Sequence, residues 1–315
     1  MRRFRQGSLL FLLCSIFLFL SISSALAITT SGSLTEDETW SGTVNLTGDV
    51  TVPVGITLTI EAGTTVIFPA RSDDTSGGED SNVTELIING SLVAIGSADN
   101  KITFASGGSI PTSGDWGGIK WNVGLGVKTF DLEYCTIEYP STAVKWHVNA
   151  GIQSGTISNC EIKYTTDYGI YIYGEANADI TANVTNNSLS NIGGHGIYGY
   201  ATGSGTSITG SFSNNTVSDC GSFGIVLVAY DSATGNVDIT NNQITDIDDS
   251  AIYEKAYNPS SVTGKIEGNT ISNAGRDTGS SYRYGIWVYA DNHGTTDIDV
   301  NNNTVTNTGT YGIYV

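Results

Sequence analysis

A glycosidic bond is broken by two carboxyl groups held roughly 5–10 Å apart, one giving a proton and the other acting as base or nucleophile. The chain offers carboxyl groups in two short fragments, Thr166-Asp167 and Asp248-Asp249, and an imidazole in a third, Gly194-His195-Gly196. Asp167, His195 and Asp249 are therefore the residues to weigh for catalysis. A metal-assisted lyase needs acids on one face beside a Lys or Arg base, and Lys120 and Lys145 could supply the base. Their neighbours in sequence put no cluster of acids beside them. Asp73, Asp74, Glu79 and Asp80 could bind Ca²⁺ through oxygen ligands, although such a Gly- and Ser-rich acidic stretch is more often a solvated insertion. Copper favours His and Met, but the only Met is Met1, and His147, His195 and His293 show no convergence. No cofactor is expected, with Ca²⁺ the one candidate left open.

These residues must be positioned by something, and the chain repeats. An apolar anchor follows an Asn-rich turn at Ile137, Ile162, Leu189, Val217, Ile244, Ile271 and Val305, at spacings of 25, 27, 28, 27, 27 and 34 residues. The seven-residue excess in the last gap marks an inserted loop around Arg276–Tyr282. Some eight residues after most anchors comes a second signature, such as Gly169-Ile170-Tyr171-Ile172-Tyr173 or Gly285-Ile286-Trp287-Val288-Tyr289. A third alternating stretch lies between, as at Asn236-Val237-Asp238-Ile239. Three short strands of period 2 per repeat, with no room for a helix, describe one triangular coil. A coil buries its inward residues only by stacking on its neighbours. The predicted fold is all-β: a right-handed, single-stranded parallel β-helix of about ten coils, a rod roughly 50 Å long at the strand spacing. Upstream, Val50–Val52, Leu58–Ile60, Val66–Phe68, Leu86–Ile88 and Ile102–Phe104 read as strands of less regular coils.

Columns follow from the repeat. Ile119, Val144, Ile170, Ile197, Ile225, Ile252, Ile286 and Ile313 form an unbroken aliphatic column, which faces in. The next column contains Lys120 and Lys145 and faces out. So does the column two residues on, and Glu254 falls between them at an inward position. On the outward side Tyr171, Tyr173, Tyr198, Tyr200, Tyr253, Trp287, Tyr289 and Tyr314 make an aromatic strip, broken at Val226 and Val228. Rings in a row suit stacking on sugars, and equally form cross-strand ladders that hold a sheet together. Asn187, Asn215, Asn242, Asn269 and Asn303 stack at the turn as an amide ladder. Cys135 and Cys160 share that column on adjacent coils, close enough for a disulfide, with two small buried thiols as the plainer reading. Cys220 aligns with Ile192 and Ile247 as core. Asp167 and Asp249 lie three coils apart, about 14 Å at the strand spacing, too far for one bond.

Asp49-Val50-Thr51-Val52-Pro53, Leu58-Thr59-Ile60-Glu61-Ala62-Gly63-Thr64-Thr65-Val66 and Asp115-Trp116-Gly117-Gly118-Ile119 resemble segments of surface-exposed β-helix proteins. The later coils are similar to the right-handed β-helix repeats of the pectin-lyase-like superfamily. The three acidic and histidine fragments resemble polygalacturonase signatures, but their order differs and no Arg-x-Lys motif follows. Only Gly194-His195-Gly196 matches closely. The resemblance implies the fold across nearly the whole chain and hardly bears on activity.

Met1–Arg5 is basic, Leu9–Leu20 apolar, and Ala25-Leu26-Ala27 a small-residue site, so residues 1–27 read as a signal peptide and 28–315 as the helix. Cys14 follows Leu13 and not a small residue, which places a lipoprotein second. Three of the 13 basic residues leave with the leader, so 10 face 31 acids. That balance argues against nucleic acid as a partner, and nothing after Ala27 is apolar for long enough to span a bilayer. The expected place is outside the cell or on its surface. Tyr311–Val315 stops on a first strand without a polar cap, which suggests a chain truncated there, or end-to-end self-association. The function expected is a non-catalytic repeat protein whose aromatic strip contacts carbohydrate or another surface macromolecule. A polysaccharide lyase or hydrolase and an adhesive stalk are the alternatives.

Overall fold

The computed structural model describes residues 28–124 and 128–315; the expected leader, residues 1–27, lies outside them. Thirty strands run through the described residues, and no helix there is long and apolar enough to cross a membrane. A regular coil consists of Ile170–Gly174, Ala178–Thr185 and Ser188–Ile192, and the next of Ile197–Thr202, Ser207–Ser213 and Thr216–Cys220. Each strand pairs in parallel with its counterpart one coil on. The second strands make one ten-stranded parallel sheet, so the coils number about ten, as the repeat requires.

Register follows the aliphatic column. Ile119, Val144, Ile170, Ile197, Ile225, Ile252, Ile286 and Ile313 are partners in turn. All but Ile313 are fully buried. A one-residue slip would turn that whole column outward, so burial fixes the register.

The coils are locked at one corner by a ladder of amides. In each of Asn187, Asn215, Asn242 and Asn269 the main-chain N–H donates to the Oδ1 of the next Asn in the series, ending at Asn303, at 2.8–2.9 Å. The Nδ2 groups donate to the same oxygens and also to carbonyls such as Val184 and Phe212. The left-handed bend belongs to the residue just before: Asn159, Asn186, Asn214, Asn241 and Asn302 all have φ of 55–58°. Asn is chosen twice here for two reasons, tolerance of positive φ at one position and a two-way amide at the next. Cys160 continues the ladder, its N–H donating to Asn187 Oδ1 at 2.9 Å, and the Cys135 N–H reaches Cys160 Sγ at 3.4 Å. Both thiols are free and buried, and Cys220 is core between Ile192 and Ile247.

The lumen is filled differently along its length. Trp121 and Trp146 occupy the inward position of early coils and pack with Phe130, at 4.4 Å from Trp121. In the later coils the same column reads Gly199, Leu227, Glu254, Val288. Glu254 is fully buried with neither carboxylate oxygen hydrogen-bonded, and burial raises its carboxyl far above the usual range.

Candidate functional site

The outward side of the first strands carries more rings than the strip read from sequence. The residue before each Gly of the Gly-Ile signature adds Tyr168, His195, Phe223, Tyr284 and Tyr311, and a column at the strand's far end adds Tyr230 and Tyr257. Tyr168 lies 4.7 Å from Tyr171 and 5.1 Å from His195, His195 5.4 Å from Phe223, and Phe223 5.1 Å from Tyr253. Tyr230 lies 5.5 Å from Tyr200 and 5.2 Å from Tyr257. Both additional columns recur with the repeat, and that recurrence was the signal that could have found them.

Adjacent rings mostly face one another. His147 and Tyr173 stack at 4.7 Å and 19°, and Tyr253 and Trp287 at 4.5 Å and 28°. A separation close to the coil spacing with nearly parallel planes means that these rings stand on edge, spending their faces on each other. Tyr171 and Tyr198 meet at 66°, edge to face. What the middle of the strip presents outward is therefore ring edges and phenol hydroxyls. Burial and neighbouring tyrosines push the Tyr171, Tyr198 and Tyr253 hydroxyls well up, so they remain donors. Burial and the hydrogen bond to Glu175 push Tyr173 up to about 12. Nearer the C-terminal coils, Tyr282, Tyr311 and Tyr314 are exposed.

Val226 and Val228 point outward yet are 0% and 2% exposed. Side chains this short on a pleated surface are hidden only by their neighbours, here the rings on either side. Beside them Lys255 extends its ammonium to 5.3, 5.0 and 5.6 Å from the ring centres of Tyr230, Tyr257 and Tyr289. No carboxylate lies in ion-pair distance of it among the described residues.

Lys120 and Lys145 do have acids beside them, contrary to the reading from their local sequence. The acidic insertion between Thr65–Phe68 and Glu85–Ile88 folds back over the face. Glu79 reaches Lys145 at 2.5 Å and Lys120 at 3.7 Å, and Glu85 reaches Lys120 at 3.7 Å. Lys120, outward by register, is left 5% exposed. The covering acids come from coils upstream, which periodicity within the repeat does not reveal. Burial raises Glu85 although Lys120 opposes it. Burial acts the same way on Glu79, but the hydrogen bond from Lys145 and the charge of Lys120 hold it below the usual carboxylate range. The insertion is pinned at its base, where Asp73 accepts from the N–H groups of Asp49, Thr75 and Gly77 and Asp49 from that of Glu85. Asp73, Glu79 and Asp80 are thus turned to different partners, Asp80 to Asn82, and no group of three or more His, Cys, Asp or Glu among the described residues is arranged to hold a metal.

Both insertions enter at the same corner, the turn before the first strand. Residues 275–285 fold onto the same face, placing Tyr282 5.8 Å from Phe223 and 5.3 Å from Trp287. Under the first insertion a cleft encloses about 260 Å³ between Glu79, Lys145, Asp167, Tyr168 and Tyr171.

Asp167, His195 and Asp249 follow the same corner down successive coils. Gly194 N–H donates to Asp167 O, Ser222 N–H to Gly194 O, and Asp249 N–H to Ser222 O, so the two acid-bearing turns lie three coil steps apart. His195 sits between Tyr168 and Phe223, its Nδ1 accepting from the Phe223 N–H at 3.3 Å, and burial pushes it down to about 4. Asp249 accepts from Ser222 Oγ at 2.8 Å and from Ser280 Oγ, fastening the second insertion. The geometry does not bring these three together across one bond.

A family model described as right handed beta helix region matches residues 146–315, more than half of the chain. No curated protein and no solved structure matches it.

Proposed function

Because the chain belongs to the right-handed β-helix family, we propose that it is a non-catalytic binding protein whose first-strand face holds an extended carbohydrate. The observation that carries this reading is convergence: both long insertions, 69–84 and 275–285, enter at one corner and fold over the same aromatic face. Loops departing from a regular scaffold are where such folds place recognition. The other two faces carry mainly small polar side chains such as Thr181, Thr209, Ser190 and Ser218.

Ring edges and phenol hydroxyls give hydrogen-bond donors over an apolar surface, and the exposed Tyr282, Tyr311 and Tyr314 offer ring area for stacking,. That combination suits a polymer that is polar at its hydroxyls and apolar on its C–H faces. The face lies outside the cell if residues 1–27 act as the leader proposed for them. A panel of acidic and neutral polysaccharides tests the reading, with retention and new reducing or unsaturated ends both scored. Retention of at least one polymer without new ends is expected. New ends would move the protein to the lyase or hydrolase class, and no retention would leave a structural role.

A further inference from the structure

We propose that the cleft beneath the 69–84 insertion takes a sugar carrying a protonated amine, making an amino sugar the ligand at that end of the aromatic face. The inference rests on the carbohydrate reading above and goes beyond it by giving the cleft a ligand charge. Its wall is a pair of tyrosines, Tyr168 and Tyr171, stacked at 4.7 Å and 17°. Its floor carries the hydroxyl residues Ser141 and Thr142 beside Gly117, against which the Glu85 side chain packs.

The sign of the cleft follows from which of its charges are already spent. Lys120 is buried against Glu79 and Glu85, and Lys145 is hydrogen-bonded to Glu79, so neither ammonium is free for an anion. The acids outnumber them: Glu79, Asp80, Glu85 and Asp167 line the cleft against two lysines. Asp80 and Asp167 are exposed, and the Asp167 carboxylate accepts no hydrogen bond and meets no cation among the described residues. An anionic sugar would have to displace Glu79 and then face Asp80 and Asp167. A neutral sugar could offer Asp167 a hydroxyl donor but no countercharge. An ammonium on the ring donates a charge-assisted hydrogen bond to Asp167, beside the edges of the stacked Tyr168 and Tyr171,. Continuity of the cleft with the tyrosine strip, through Tyr171 to Tyr198 at 5.5 Å, favours a sugar over a basic peptide.

The test is calorimetric titration of the full chain at pH 5.5 in low salt with a glucosamine hexamer, its N-acetylated counterpart and a hexalysine peptide. The amine form should bind at least tenfold more tightly than the acetylated form. Asp167→Asn should remove most of that advantage by weakening the amine form far more than the acetylated one, and Asp80→Asn should do so in part. Far-UV circular dichroism checks that each variant folds, and the two substitutions stand in for each other if one does not. Equal affinity for the two hexamers, or an advantage untouched in a folded variant, would overturn the inference and leave carbohydrate binding standing. Hexalysine binding as tightly as the glucosamine hexamer would overturn the sugar assignment. If neither hexamer binds, the inference fails, and the wider reading is then decided separately by the polysaccharide panel.

Discussion

The two halves of the first-strand face are built on one backbone and hold themselves together differently. Toward the N-terminus the outward positions are Lys120, Lys145 and His147, covered or paired by Glu79, Glu85 and Glu175, the lumen holds Trp121 and Trp146, and the corner slot holds thiols. Toward the C-terminus the outward positions are mostly tyrosines and Trp287, with Val226, Val228 and Lys255 between them, the lumen is aliphatic apart from Gly199, Phe212 and Glu254, and the corner slot holds Asn. Coil stacking demands only inward apolar residues and a turn that repeats. Everything outside that demand is free to vary, and here it varies toward charge under a loop at one end and rings at the other. The regular half can hold itself by repetition. The irregular half needs a long insertion, and that insertion makes the cleft.

The ladder gives the sharpest break between the halves. Asn242→Ala removes the acceptor of two Asn215 donors and the donor to Phe212 O, leaving buried groups unpaired at about 3 kcal/mol. Cys160→Ala removes only weak sulfur hydrogen bonds, the acceptor for the Cys135 N–H and the thiol's contacts to Leu132 O and Ser158 O, and should cost about 1 kcal/mol,. Chemical denaturation of both variants checks the ratio, and equal losses would mean that the slot is not what distinguishes the two ends. Cys160→Asn extends the ladder by one coil and should raise stability by about 0.5–1 kcal/mol.

Glu254 is a cost that the regular half carries inside. Its folded-state carboxyl keeps a proton that the unfolded chain loses above the ordinary carboxylate range. Stability is therefore fullest below that range and falls as pH rises toward the raised folded value,. Glu254→Leu, matching Leu227 and Val288 in its column, should raise Tm at pH 7.5 and flatten the decline that sets in as pH rises above the ordinary carboxylate range,. A Tm lowered by the substitution at neutral pH would show that the carboxyl has an interior partner. The smallest effect is expected at the charged end. Glu79 is partly exposed, so Glu79→Gln should cost about 0.5 kcal/mol or less in stability,. It should nevertheless speed proteolysis within 69–84, because Glu79 ties the insertion to the lysines. Unchanged cleavage would leave the pinning to Asp49 and Asp73 alone.

Much of the fold was legible because it is periodic. Spacing of anchors gave the coil, an aliphatic column gave its inside, and recurring Asn gave the corner. The site was legible only where it shared that period. Tyr171, Tyr198 and Trp287 could be placed on one face, but how their rings face each other depends on rotamers, which spacing does not specify. Glu79 over Lys145 joins residues 66 apart through a non-repeating loop, and nothing local announces it. Glu254 was visible as an exception to its column; that it stays inward without a partner is a matter of the surrounding coils.

Binding of carbohydrate by the aromatic face is tested most directly by a retention measurement. Retention of the full chain on an immobilised polysaccharide that the parent binds should be compared with retention of a Tyr198→Ala, Trp287→Ala double variant, with Thr181→Ala on the opposite sheet as control. The double variant should be lost to the flow-through with its β-rich circular dichroism intact, while the control is held like the parent. A folded double variant held as well as the parent would contradict binding through this face.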